Sequence, residues 1–152
     1  TTVVSRLFGL VLPHFAVFGE KDYQQLAVLR RMTRDLGLPI EVLGGPLVRD
    51  HDGIALSSRN ALLNPEQRSR ALSLNQALSA MVDLAAAGET DVAAILAVGQ
   101  EILTVDEVHY LEILDAEHFE PLRVLDRPAR AFVAGKLGNT RLIDNKALSP
   151  VG

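Results

Sequence analysis

The chain has 152 residues, 48% of them hydrophobic, with a formal net charge of -4 and no cysteine. At roughly 150 residues per domain this is enough for one domain or two small ones with a real core. It excludes a disulfide framework, thiol chemistry and a broad basic field for nucleic acid or an anionic membrane, while leaving local cation clusters free to bind a small anion.

The longest apolar stretch, Phe8 to Phe18, is interrupted by Pro13 and His14, well short of the ~18 to 20 residues of a membrane helix. A soluble protein is expected. The first residue is Thr1 and not methionine, which reads as a processed or truncated chain.

Taken in chain order, residues 3 to 12 carry apolar side chains at helical spacing (Val3, Val4, Leu7, Phe8, Val11) and Pro13 ends the pattern. "HFAVFG" reads as a short strand buried on both faces. From Tyr23 to Leu36 the residues Leu26, Leu29, Met32 and Leu36 predict an amphipathic helix stopped by Gly37 and Pro39, with Arg30, Arg31 and Arg34 on a solvated face. "IEVLG" predicts the next strand, parallel to the first in a βαβ unit. Two parallel strands need further strands and a covering layer, so this region reads as the tail of a larger doubly wound domain. "GGP" at 44 to 46 marks the boundary, giving regions 1–46 and 47–152.

The second region has a different rhythm. Asn64, Pro65 and Gln67 predict a capping box at the head of a long helix ending at Gly88, and a second helix spans Thr90 to about Leu103. "VHYLEIL", "RAFVAGKL" and "TRLIDNKAL" predict strands, the last two joined by a tight turn at Gly138-Asn139. The expected fold is α/β: the end of a parallel sheet, then a small α+β domain with an antiparallel sheet.

Two short segments carry chemistry. In "FGEKDYQQL", Asp22 and Gln25 have capping-box spacing, so helix chemistry alone explains them. The same segment follows a parallel strand, where ligands gather near helix N-termini. There Lys21 can meet a phosphate, Asp22 a ribose hydroxyl, and Gln25 can lean toward the crevice. In "LSSRN", Ser57, Ser58 and Arg59 are either a serine cap with a solvated arginine or a wrap for a polyphosphate.

"RDHDG" reads as a turn and not a metal site, because adjacent Asp50, His51 and Asp52 point different ways. His109 reads as a half-buried structural residue. No two of His14, His51, His109 and His118 stand three or four apart, and no G-x-S-x-G or G-x-x-x-x-G-K-[ST] is present.

Together, "FGEKDYQQL", "DGIALSSRN" and "GKLGNTRLIDN" closely resemble the pantothenate synthetase (pantoate-beta-alanine ligase) family, through nearly the whole chain. The resemblance implies a dimeric, cytoplasmic enzyme with a Rossmann-like N-terminal domain of the nucleotidyltransferase type and a C-terminal lid. Such enzymes use ATP and Mg²⁺ to turn pantoate into pantoyl adenylate, which β-alanine then attacks to give pantothenate and AMP. Carried over by position, the ATP-contacting loop falls on Gly19, Glu20, Lys21 and Asp22, and a pantoate-binding glutamine on Gln25. Val48 matches a backbone contact to adenine. Leu56, Ser57, Ser58 and Arg59 match a flexible phosphate-binding segment, with Leu56 where many relatives have methionine. Lys21, Ser57, Ser58 and Arg59 are the implied catalytic residues, and the resemblance assigns no metal ligand to the chain.

The family's H-x-G-H motif is absent, so the chain resembles the C-terminal portion and is expected to be inactive alone. Two other readings stay open. One is a stand-alone nucleotide-binding module; the other is a different adenylate-forming enzyme of the same superfamily.

Overall fold

A computed structural model describes residues 2–151. The chain divides into two compact units, Thr1–Leu47 and Val48–Gly152. Among the described residues no helix is long and apolar enough to cross a membrane.

The first unit runs α1 (Thr2–Val11), β1 (Phe15–Gly19), a 3-10 turn (Glu20–Asp22), α2 (Tyr23–Asp35) and β2 (Glu41–Gly45). The strands are parallel, in register from Phe15 opposite Glu41 to Gly19 opposite Gly45. The core joins Phe8 of α1, Leu26 and Leu29 of α2 and Val42 of β2, with Ala16 and Phe18 packed against it. Phe8 and Phe18 meet edge to face, centroids 6.4 Å apart, the arrangement favoured by the ring quadrupoles.

The expectation that β1 is buried on both faces is corrected. Phe15 is 61% and Val17 68% exposed. Successive strand residues face opposite sides, and the packed residues Ala16 and Phe18 share one face, which leaves Phe15 and Val17 on the other. The solvated arginine face is also corrected in part, since Arg30 Nε donates to the Val42 carbonyl at 3.1 Å. α2 ends in a Schellman arrangement: Leu38 N donates to Thr33 O and Gly37 N to Arg34 O. Gly37 has φ 60°, a backbone that glycine enters without a Cβ clash.

The second unit begins with an irregular segment and a 3-10 turn (Ser58–Leu62), then α3 (Pro65–Ala86), α4 (Val92–Ile102), β3 (Glu107–Asp115), β4 (Ala129–Leu137) and β5 (Thr140–Leu148). The sheet is antiparallel in the order β3-β4-β5, and β4 and β5 turn back at Leu137 and Thr140 around Gly138-Asn139. Leu74, Leu78 and Met81 of α3 and Ile95 of α4 form the core with Ile113, Ala131, Val133, Leu137 and Leu142 of the sheet.

The predicted capping box is present: Gln67 N donates to Asn64 Oδ1 at 2.8 Å and Asn64 N to Gln67 Oε1 at 3.1 Å. α4 starts later than expected, because Asp91 is its N-cap and accepts from Ala93 N at 3.0 Å. The parallel pair followed by an α+β unit is the fold class read from the sequence.

Candidate functional site

Gly19, Glu20, Lys21, Asp22 and Gln25 belong to the first unit, where β1 ends and passes through the 3-10 turn into α2. Glu20 folds over the end of β2, where a Cβ on Gly44 would lie 2.8 Å from its Oε1. Lys21 is half-buried, while Asp22 and Gln25 are exposed.

The expected Asp22–Gln25 capping box is not formed. Asp22 has φ -95° and ψ 58° and makes no side-chain cap bond. An N-cap oxygen reaches back to the second or third helical amide from an extended backbone, and the 3-10 turn enters α2 by another path. The Asp22 carboxylate therefore stands in solvent at the C-terminal end of a parallel strand, the edge where α/β sheets receive ligands.

Val48, Leu56, Ser57, Ser58 and Arg59 belong to the second unit. Residues 48 to 56 form a small hairpin. Leu56 N donates to Val48 O at 2.9 Å, Asp50 N to Ile54 O at 2.8 Å and Gly53 N to Asp50 O at 2.9 Å, with Arg49 bridging Ala55 antiparallel. Gly53 closes the turn at φ 98°, and a Cβ there would lie 2.9 Å from Asn75 Nδ2.

Ser57 leaves this hairpin extended and caps the 3-10 turn, its Oγ accepting from Arg59 N at 3.2 Å. The serine cap of the sequence reading is thus real. Ser58 and Arg59 are exposed, and among the described residues Arg59 has no carboxylate within ion-pair distance. A guanidinium and two hydroxyls on a solvated turn form a donor set suited to phosphate oxygens.

Charge pairs hold the hairpin. Asp50 and Asp52 grip Arg68 of α3 at 2.6 and 2.7 Å, so the expected turn is also a clamp. The Arg68 bond, followed by those from His51, holds the Asp50 carboxyl far below the usual carboxylate range, and the same clamp raises Arg68. Arg49 forms a forked pair with Asp144 of β5, Nη1 to Oδ2 at 2.7 Å and Nη2 to Oδ1 at 3.0 Å. Lys146 lies near this pair and donates to Ser79; burial first, then repulsion from Arg49, lowers its pKa. Asn60, the buried residue of the 3-10 turn, donates Nδ2 to Ala55 O at 3.2 Å. None of these partners was visible as a motif, since Asp50 and Arg68 are 18 positions apart and Arg49 and Asp144 are 95 apart.

His109 sits where the β3–β4 register shifts between Val108 and Tyr110, and its Nδ1 accepts from Arg141 Nε at 3.1 Å. That bond engages the ring locally, on a strand remote in sequence from both motif segments.

The model of the pantoate-beta-alanine ligase family matches residues 1–147. The chain belongs to that family. It is 47% identical over 152 residues to the pantothenate synthetase of Desulfatibacillum aliphaticivorans, covering 98% of this chain and 54% of that protein. The Pseudomonas entomophila enzyme is 49% identical, covering 95% and 51%. A crystal structure of pantothenate synthetase from Thermus thermophilus superposes with a TM-score of 0.92 at 50% identity, over 98% of this chain and 55% of that one. A pantoate-beta-alanine ligase from Francisella tularensis, solved with β,γ-ATP and β-alanine, shares the fold at TM-score 0.66 and 24% identity. The chain thus spans about half the length of the family members it matches.

Proposed function

We propose that residues 1–152 supply part of the active site of an enzyme that joins pantoate to β-alanine at the expense of ATP. The observation that carries this reading is the Ser57–Ser58–Arg59 turn, with Ser58 and Arg59 exposed, on its braced hairpin, in a chain matched by the ligase family over residues 1–147. The Francisella tularensis neighbour, solved with β,γ-ATP and β-alanine, supports ATP and β-alanine as substrates.

Chemically, the pantoate carboxylate attacks the α-phosphorus of ATP, a phosphorus–oxygen bond forms, and pyrophosphate leaves with the electrons of the broken bond. The β-alanine amine then attacks the acyl carbon; AMP leaves, and the amine gives up a proton to solvent. Neither step needs a protein nucleophile. Negative charge on the phosphates is met by Lys21, Ser57, Ser58 and Arg59, acting as positioned donors. Gly19, Glu20, Lys21 and Asp22 form the nucleotide loop, with Asp22 as ribose acceptor, and Gln25 holds pantoate.

Val48 meets adenine through its backbone. Its carbonyl already accepts the Leu56 amide, and a carbonyl has a second lone pair to offer. Leu56 is exposed and its amide is spent inside the hairpin, so exchanging it for methionine should matter little.

Among the described residues no three His, Asp or Glu side chains gather as a metal set. The Mg²⁺ that the family resemblance implies would enter with ATP and screen part of the phosphate charge. The working enzyme is a cytoplasmic homodimer in this reading, on the strength of the family resemblance.

The test places the part of the Thermus thermophilus relative that this chain does not cover ahead of Thr1. The fusion forms pantothenate and AMP from pantoate, β-alanine and ATP. Lys21→Ala or Arg59→Ala lowers kcat/KM for ATP by about 100-fold or more. A folded fusion that releases ADP, or one indifferent to both substitutions, contradicts the assignment.

A further inference from the structure

The hairpin of residues 48 to 56 delivers the Ser57–Arg59 turn, so whatever fixes the hairpin against the sheet fixes the direction in which Ser57, Ser58 and Arg59 face. Arg49 occupies the decisive position. It stands opposite Ala55 in the antiparallel bridge, two residues ahead of Ser57. Its Nη1 also donates to Gly53 O at 3.0 Å, so one guanidinium ties both limbs of the hairpin together.

The partner is a fixed post. Asp144 is 4% exposed on β5, with Oδ2 taken by Arg49 Nη1 and Oδ1 shared by Arg49 Nη2 and its neighbour's amide, Asn145 N at 2.7 Å. A carboxylate held on both oxygens cannot swing. A forked guanidinium meeting it transmits an angle as well as a charge, which a lysine ammonium would not.

The path from the pair to the donor segment runs through backbone, from Arg49 across to Ala55 and on to Ser57. Arg68, gripping Asp50 and Asp52, holds the far end of the same hairpin. It steadies the turn, whereas Arg49 steadies the limb that becomes the donor segment.

We propose that Arg49 and Asp144 are positioning residues that aim the Ser57–Arg59 turn at the phosphates, an assignment resting on the ATP-site reading above. Arg49→Lys keeps the charge and removes the fork, and so isolates direction from attraction.

The first measurement uses the 152-residue chain and amide hydrogen exchange. Arg49→Lys speeds exchange about tenfold at Leu56, Arg59 and Asn60, whose amides are bonded within the hairpin and turn, and leaves Ala131 and Val133 of β4 unchanged. The double exchange of Arg49→Asp with Asp144→Arg restores part of the lost protection. Unaltered exchange at Leu56, Arg59 and Asn60, or equal loss throughout β4, overturns the proposal.

The second uses the fusion: Arg49→Lys raises KM for ATP about tenfold and leaves KM for pantoate within about twofold. Parallel movement of both KM values, or of neither, overturns it. An unsubstituted fusion that folds but makes no pantothenate contradicts the functional reading alone, because the exchange measurement decides the brace independently.

Discussion

Arg68 lies between two carboxylates of one tight turn, Asp50 at 2.6 Å and Asp52 at 2.7 Å, and this makes the hairpin sensitive to acid. The carboxyl of Asp50 is drawn far below its usual range by Arg68 first and His51 second. A depressed folded pKa contributes stability above the unfolded value of about 4, and that contribution disappears as pH falls through the folded value. Urea midpoints should therefore decline from about pH 4 downward, and Asp50→Asn should flatten that decline while lowering the midpoint at neutral pH. Because the group is solvent-accessible, added salt should shrink the difference. An Asp50→Asn profile parallel to that of the unsubstituted chain would remove Asp50 from the acid response.

At the scale of elements, the same sequence spacing had two outcomes. Asn64 and Gln67 form a reciprocal box; Asp22 and Gln25 do not. Asn64 enters its helix from an extended backbone, φ -73° and ψ 168°, whereas Asp22 is the last residue of a 3-10 turn, at ψ 58°. Spacing records which side chains can cap, and the preceding backbone decides whether they do. Asn64→Ala should cost about 1 kcal/mol in chemical denaturation, through loss of the α3 cap, and Gln25→Ala should leave stability nearly unchanged. Strand positions were legible in the same partial way. Apolar run and turn residues located β1, but its one-sided cover depends on what packs across it: Ala16 and Phe18 found partners, Phe15 and Val17 did not.

For the whole molecule, local pattern carried most of the fold: a parallel βαβ pair, two helices and a hairpin-linked antiparallel sheet are each written in contiguous residues. The candidate site was legible where chemistry is also contiguous, in Gly19 to Gln25 and Leu56 to Arg59. Its support was not. Arg49 finds Asp144 across 95 positions, and only folding β5 beside the hairpin joins them. A solitary aspartate in "TRLIDN" gives no sign of its partner, although an acid at an inward strand position is a cue that a buried cation is near.

The chain covers about half of the length of its relatives; in the proposed reading the purified 152 residues form no pantothenate from ATP, pantoate and β-alanine, and steady product formation would contradict it. The central claim, that these residues help carry out adenylation, is tested most directly by following oxygen. Pantoate labelled with heavy oxygen in its carboxylate is supplied to the fusion with ATP and β-alanine, and the AMP released is weighed by mass spectrometry. Attack of the carboxylate on the α-phosphorus predicts one labelled oxygen in AMP for each pantothenate formed; unlabelled AMP, or label appearing in inorganic phosphate, would contradict the account.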